Sequence, residues 1–125
     1  MEKGRFKLTR AERIAKSQEY QRIFKQGKRL RFPEFTLIVA LNDLAISRVG
    51  ISVGKKFGKA VKRNRAKRLC RELFRLNKHN LPKGIDVIFL PNKLILHSNW
   101  QKLQNRMEEV GRLIEKFFKF NKKAA

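Results

Sequence analysis

Apolar positions recur at two periods along the chain, and the switches between them mark out its elements. Tyr20, Ile23 and Phe24 fall at i, i+3 and i+4. That is one face of a short helix with Ser17 as N-cap, ending near residue 26 and closed by Gly27 in the left-handed conformation. Residues 28–32 read as a short edge strand stopped by Pro33, which has no N–H to give a ladder. From 35 to 41, Phe35, Leu37, Val39 and Leu41 alternate with Thr36, Ile38 and Ala40, a strand apolar on both faces. Asn42-Asp43 supplies turn chemistry. Residues 46–53 form the next strand, with Val49, Ile51 and Val53 on one face and the small Ser47, Gly50 and Ser52 assigned to the other, where a helix or a ligand approaches closely. The period then returns to 3.6 over 59–77, with Ala66, Leu69, Cys70, Leu73 and Phe74 as the apolar stripe. Pro82-Lys83-Gly84 turns the chain into a strand at 85–90 that Pro91 ends. Ser98 with Gln101 reads as a capping box for a last helix. Its stripe is Trp100, Leu103, Met107, Val110, Ile114 and Phe117, a core face or a dimer seam. Residues 1–13 lack periodicity and are expected to form a loose arm, with 119–125 loose at the other end.

The predicted order is αβββαβα, an α+β layer with helices on one face of a small mixed sheet of about four strands. The 125 residues, 42% hydrophobic with ten Phe, fit one folded domain spanning 1–125. Charge changes the picture. Thirty-two Lys and Arg against ten Asp and Glu give a net charge of +22. Such an excess opposes compaction by self-repulsion and favours a polyanionic partner. No apolar run approaches a membrane span and the N-terminus has no signal-peptide core, so a cytoplasmic setting is expected. One Cys excludes an intrachain disulfide framework and suits a reducing compartment.

The positive charge is densest at residues 55–71, where Lys55, Lys56, Lys59, Lys62, Arg63, Arg65, Lys67, Arg68 and Arg71 occur with no acid among them. Solvated helices mix signs at i,i+4, so a run of one sign suits a dense polyanion better than water. Guanidinium groups grip phosphate bidentately and stack on bases, and Asn64 adds a donor and an acceptor. A nucleotide phosphate loop is excluded by spacing: three residues rather than four separate Gly54 from Gly58, and Ala60 follows Lys59. Tyr20 and Phe24, flanked by Arg22, Lys25 and Lys28, admit two readings. They are the core face of their helix, or they line a groove where unpaired bases stack. No catalytic constellation emerges. Cys70 lies in an apolar stripe, His79 caps a helix end, His97 sits in a loop without metal-ligand spacing, and Asp86 is the one acid inside a strand. Glu108, Glu109 and Glu115 have Arg112 and Lys119 as helical partners.

The segment KKFGKAVKRNRAKRLCRELFR, with Arg63-Asn64-Arg65 at its centre, resembles the signature of the protein subunit of bacterial ribonuclease P. The resemblance covers about residues 8–118. It implies a fold like the second domain of ribosomal protein S5, with a left-handed βαβ crossover through the basic helix. It implies a ribonucleoprotein that removes the 5′ leader from precursor tRNA, in which the RNA performs the hydrolysis with Mg²⁺ held mainly on RNA. The implied partners are the catalytic RNA and precursor tRNA, with no membrane and no obligate protein partner. The basic residues of 55–71 and Asn64 would bind the RNA subunit. Tyr20, Phe24, Arg22, Lys25, Ile38 and Ser52 would bind the single-stranded leader. Ile38 and Ile88 or Leu90 stand where family members sometimes place aromatics on the cleft face, which leaves fewer stacking platforms. The rival readings are a structural RNA-binding protein of ribosomal type and a DNA-compacting protein, the latter calling for a major-groove helix or dimer symmetry.

Overall fold

In the computed structural model the described residues run from 8 to 124, with side chains as far as 118. Three α-helices, α1 (Ser17–Gln26), α2 (Ala60–Asn77) and α3 (Trp100–Ala124), and four strands, β1 (Lys28–Arg31), β2 (Phe35–Leu41), β3 (Arg48–Ile51) and β4 (Ile85–Pro91), follow in the expected αβββαβα order. The strands form one mixed sheet ordered β1-β2-β4-β3. β1 and β4 run antiparallel to β2, whereas β3 and β4 are parallel. Parallel neighbours need a crossover rather than a hairpin, and α2 is that crossover.

Helices cover both faces of the sheet, not one. Leu37, Val39, Val49, Val87 and Phe89 face α2 and α3 and meet Ala66, Cys70, Leu73, Phe74, Leu103, Met107, Val110 and Ile114 in the main core. A fully buried Leu, Ile or Phe there stabilises by roughly 1.5–3 kcal/mol. The opposite face carries Ile38, Ala40 and Ile88, closed over by Ile23 of α1. Strand β2 is apolar on both faces because it is buried on both.

Several boundaries depart from expectation. Residues 8–13 are not a loose arm: Leu8 packs on the main core, Arg10–Glu12 form a 3₁₀ turn and Arg13 bridges to Val49. The Glu12 carboxylate accepts from the Thr9 N–H and hydroxyl, a capping box, and pairs with Lys78 at 2.8 Å. Residues 1–7 lie outside the described residues. Lys16, not Ser17, is the N-cap of α1. Gly27 is extended (φ −77°, ψ 157°) rather than left-handed. Space demands glycine there, because a Cβ would collide with Ile38 Cγ2 and stand 2.6 Å from the Ile23 carbonyl oxygen. Strand β3 is shorter than 46–53, though Ser52 still donates its N–H to the Phe89 carbonyl. Asn99, not Ser98, caps α3, its Oδ1 accepting from Lys102 N at 2.7 Å, while Ser98 Oγ donates to the Leu94 carbonyl. Trp100 and Phe117, at the ends of the α3 stripe, are exposed, and Lys28 Nζ stands 4.4 Å from the Phe117 ring centroid. The backbone of α3 continues to Ala124; the side chains of 119–125, where a loose end was expected, lie outside the described residues.

Candidate nucleic-acid interface

Helix α2 shows how one element can be both core and interface. Ala66, Cys70, Leu73 and Phe74 are fully buried, Asn77 is buried and Leu69 packs beside them, while the basic positions lie on the other side of the helix. Upstream, a 3₁₀ turn (Lys55–Phe57) is pinned by its buried Phe57, which leaves Lys55 and Lys56 exposed. Lys59, the N-cap, and Lys62, Asn64, Arg65, Arg68 and Arg71 are also exposed, while Arg63 and Lys67 are half-buried. None of these nine cations pairs with a carboxylate among the described residues. The first acid, Glu72, is occupied by Arg75 at 2.6 Å. Arg63 Nε is buried without a hydrogen-bond partner, an unusual state for a charged donor. Nine cations held on a rigid scaffold form a surface that an anionic backbone would neutralise.

A second site lies between α1 and the sheet. Sheet register aligns Arg31, Thr36 and Leu90 in one row on the α1 face, and Ser52 continues it one residue past β3. The next row is Arg29, Ile38, Ile88 and Gly50, and the third holds Ala40, Asp86 and Arg48. Ile23 seals the middle row. At 100° per residue, Glu19 and Arg22 lie on one flank of Ile23 and Tyr20 and Phe24 on the other.

The first flank is clamped. Arg22 donates to Asp86 at 2.6 Å, and Arg48 reaches both Asp86, at 2.7 Å, and Glu19, at 2.8 Å. Asn42 adds a bond to Asp86 and, through its own Oδ1, holds Leu44 N in the turn after β2. Burial pushes the Asp86 carboxyl up, but the Arg48 and Asn42 hydrogen bonds and the charges of Arg48 and Arg22 outweigh it, so the group is held below the ordinary carboxylate range. Arg48 is correspondingly raised, first by its bond to Asp86.

The second flank is open. Tyr20 and Phe24 are partly buried against Ile38 and Ile88, as is Leu90. Thr36 and Ser52 are also half-exposed. Tyr20 is fixed by its hydroxyl, which donates to the Ile14 carbonyl at 3.3 Å and accepts from Ile51 N at 3.2 Å. The close approach foreseen at Gly50 is this ring: a Cβ there would lie 2.6 Å from the Tyr20 hydroxyl oxygen. The groove therefore has Tyr20 and Phe24 as a wall and Ser52, Leu90 and Thr36 as a floor.

Of the residues predicted for this groove, Tyr20, Phe24 and Ser52 come together, and Lys25 is exposed at the C-terminal end of α1. Ile38 does not join them, because it is fully buried beneath α1. Ile88 is likewise buried, whereas Leu90 remains at the surface of the groove. Arg22 is engaged by Asp86 and the Leu41 carbonyl on the far flank of the helix. Thr36 was missed, although it lies two residues from Ile38 on the same face of β2.

The two sites meet. A pocket of about 160 Å³ beside β3 is lined by Tyr20 of α1, by Gly50 and Ile51 of β3, by Lys67 and Arg71 of α2, and by Arg13 of the arm. No local sequence signal joins these residues, because Arg13 reaches the site through its backbone bridge to Val49.

Among the described residues no three His, Cys, Asp or Glu side chains gather to hold a metal ion. Asp86 is spent on two arginines, so the carboxylate best placed by burial is a poor donor to Mg²⁺. Cys70 is buried, and burial raises its thiol far above the usual range. His79 lies in the 3₁₀ turn (Lys78–Asn80) that closes α2, and His97 ends another (Lys93–His97) rather than sitting in an open loop. Glu109 pairs with Arg106, three residues before it. Among the described residues no helix is long and apolar enough to cross a membrane.

Comparison with known proteins gives a consistent answer. The family model described as Ribonuclease P matches residues 8–116. The ribonuclease P protein component of Thermotoga maritima is 46% identical over 86 residues, covering 69% of this chain and 74% of that protein. That of Syntrophus aciditrophicus is 40% identical over 109 residues, covering 87% and 89%. Among solved structures, the Thermotoga maritima RNase P protein superposes with a TM-score of 0.74 at 35% identity, covering 83% of this chain and 98% of that one.

Proposed function

The chain belongs to the ribonuclease P protein component family, a tRNA-processing subunit that works with an RNA, and from that premise we propose how its two surfaces divide the work. The basic surface of residues 55–71, with Asn64, binds the catalytic RNA. The groove walled by Tyr20 and Phe24 binds the single-stranded 5′ leader of precursor tRNA, with Ser52, Leu90 and Thr36 beneath it and Lys25 at its rim. The observation that carries this reading is the shared pocket, where Tyr20 stands beside Lys67 and Arg71. A strand leaving the RNA-bound active site at α2 would pass directly onto the aromatic wall. Stacking on such a wall is worth roughly 1–3 kcal/mol per base.

Hydrolysis belongs to the RNA in this scheme, together with the Mg²⁺ it holds. The protein contributes charge neutralisation, which lowers the repulsion between RNA strands and the Mg²⁺ concentration they need. It also contributes grip on the leader, present in precursor and absent from product. The test is precursor cleavage by an RNase P RNA at low Mg²⁺, with and without the protein, on substrates with a full leader and with a one-nucleotide leader. A rise in kcat/KM that is larger for the full leader is expected. An equal rise for both would confine the protein to the RNA and remove the groove from the mechanism.

A further inference from the structure

The groove does not end at β2. Its floor row continues across the sheet to β1, the edge strand, where Arg31 pairs with Thr36 and Arg29 with Ile38. The alternation of β1 fixes which way these arginines face. Leu30 is buried in the main core and Lys28 stands over Phe117 of α3, so both belong to the α2/α3 face. Arg29 and Arg31 therefore project from the α1 face, the face that carries the groove. Both are exposed, and neither pairs with a carboxylate among the described residues. This contrasts with Arg22, Arg48 and Arg106, whose charges are taken up by Asp86, Glu19, Glu34 and Glu109. Two like charges two residues apart on one strand face repel, and among the described residues nothing relieves them.

We propose that Arg29 and Arg31 form a second, distal grip on single-stranded RNA, holding phosphates of the leader upstream of the bases stacked on Tyr20 and Phe24. The inference rests on the leader reading of the groove. The path is continuous: the row crosses from β3 to β1 in three interstrand steps, about 14 Å. It has cations at both ends, Lys67 and Arg71 at the β3 side and Arg31 and Arg29 at the β1 edge, with the aromatic wall between them. Arginine suits the distal end because a guanidinium takes phosphate bidentately without needing a particular base. A long leader would thus be held at two points, and a short one at the aromatic wall alone. Leader length becomes a property that this chain senses.

The experiment is a leader-length series on the reconstituted holoenzyme, comparing wild type with Arg29→Ala/Arg31→Ala and, as a charge-retaining control, Arg29→Lys/Arg31→Lys. Precursor Kd is measured at saturating RNA subunit. With wild type, affinity should rise as the leader grows to cover the groove and rise again once it passes the β1 edge. The Ala pair should lose only the second rise, about fivefold if each exposed contact is modest. The slope of log K against log salt for long leaders should fall by about 1.4. The Lys pair should recover most of both. If the Ala pair follows wild type at every length while both respond to short leaders, the distal grip is wrong and the groove stands. If no protein responds to leader length at all, the groove reading fails and the grip with it. If the Ala pair weakens assembly with the RNA subunit, the edge faces the catalytic RNA, and the proposal is overturned.

Discussion

On the proposed reading, Tyr20 combines a structural hydroxyl with a stacking ring, and the two respond to different substitutions. Its hydroxyl ties α1 to the arm and to β3 by donating to the Ile14 carbonyl and accepting from Ile51 N, while the ring faces the groove. Tyr20→Phe strips two backbone groups of a partner and should cost about 1–2 kcal/mol of stability, read as a lower urea midpoint. It should leave the preference for precursor over mature tRNA nearly intact. Tyr20→Ala should lower both. A Phe variant that lost discrimination as fully as Ala would assign the role to the hydroxyl. Gly50→Ala attacks the same contact from the other side. Its Cβ would meet the hydroxyl oxygen at 2.6 Å, so the ring must move. A destabilisation of about 1–3 kcal/mol is expected from overpacking, with weaker leader binding and unchanged affinity for the RNA subunit.

At the scale of elements, the set of the groove depends on a clamp that neither α1 nor the sheet supplies alone. Asp86 of β4 holds Arg22 of α1 and Arg48 of β3, and Arg48 returns to Glu19 of α1. Asp86→Asn leaves two cations without their shared partner and should cost about 3 kcal/mol, at the lower end for a broken buried pair because Glu19 still meets Arg48. The variant should also loosen the leader, since α1 is then free to shift over Ile38. The pH dependence follows from the direction of the shift. The folded pKa of Asp86 lies below its ordinary value of 3.8. Its contribution is therefore complete above about pH 4 and is lost as pH falls through the lowered folded pKa. Glu34, lowered first by its hydrogen bonds to Arg106, and Glu12, where the bonds to Lys78 and Thr9 overcome burial, act in the same sense from 4.5 downward. Urea midpoints measured from pH 6 to pH 3 should fall for wild type and fall less for Asp86→Asn; parallel curves would show that Asp86 does not contribute. None of this clamp is legible in sequence, because its bonded members lie up to 64 residues apart. The elements themselves were legible: β2, β4 and the cores of α2 and α3 declare themselves by period. The arm was missed because the Thr9 and Glu12 box has no apolar run behind it. The burial of Ile38 was missed because it depends on Gly27 letting α1 lie flat on β2. Period alone places Ile38 on the floor of the groove, whereas in the fold it is buried beneath α1 and Ser52 lies half-exposed at the groove's surface.

Over the whole molecule, the distribution of acids decides which surface feels salt. The described ion pairs join α1 to the sheet, the arm to Lys78 and Glu34 to α3, or lie within α2 (Arg75–Glu72) and α3 (Arg106–Glu109), and none of them reaches residues 55–71. On the proposed reading, the basic surface meets the RNA with its charge undiminished, while a short leader is held mainly by ring stacking on Tyr20 and Phe24. Counterion release makes these respond differently. If α2 and its turn engage about six phosphates, the slope of log K for the RNA subunit is about −5, a loss near 10³ between 50 and 200 mM salt. Arg65→Ala or Arg68→Ala should reduce that slope by about one and spare leader discrimination. A short leader touching one or two phosphates should lose less than about tenfold over the same range, at about 0.7 per contact. The ratio of precursor to mature tRNA affinity, measured at saturating RNA subunit across that range, should therefore fall only about three- to sevenfold while assembly of the holoenzyme weakens about 10³-fold. A ratio that collapses in parallel with assembly would mean that one electrostatic surface, and not two distinct ones, does both tasks.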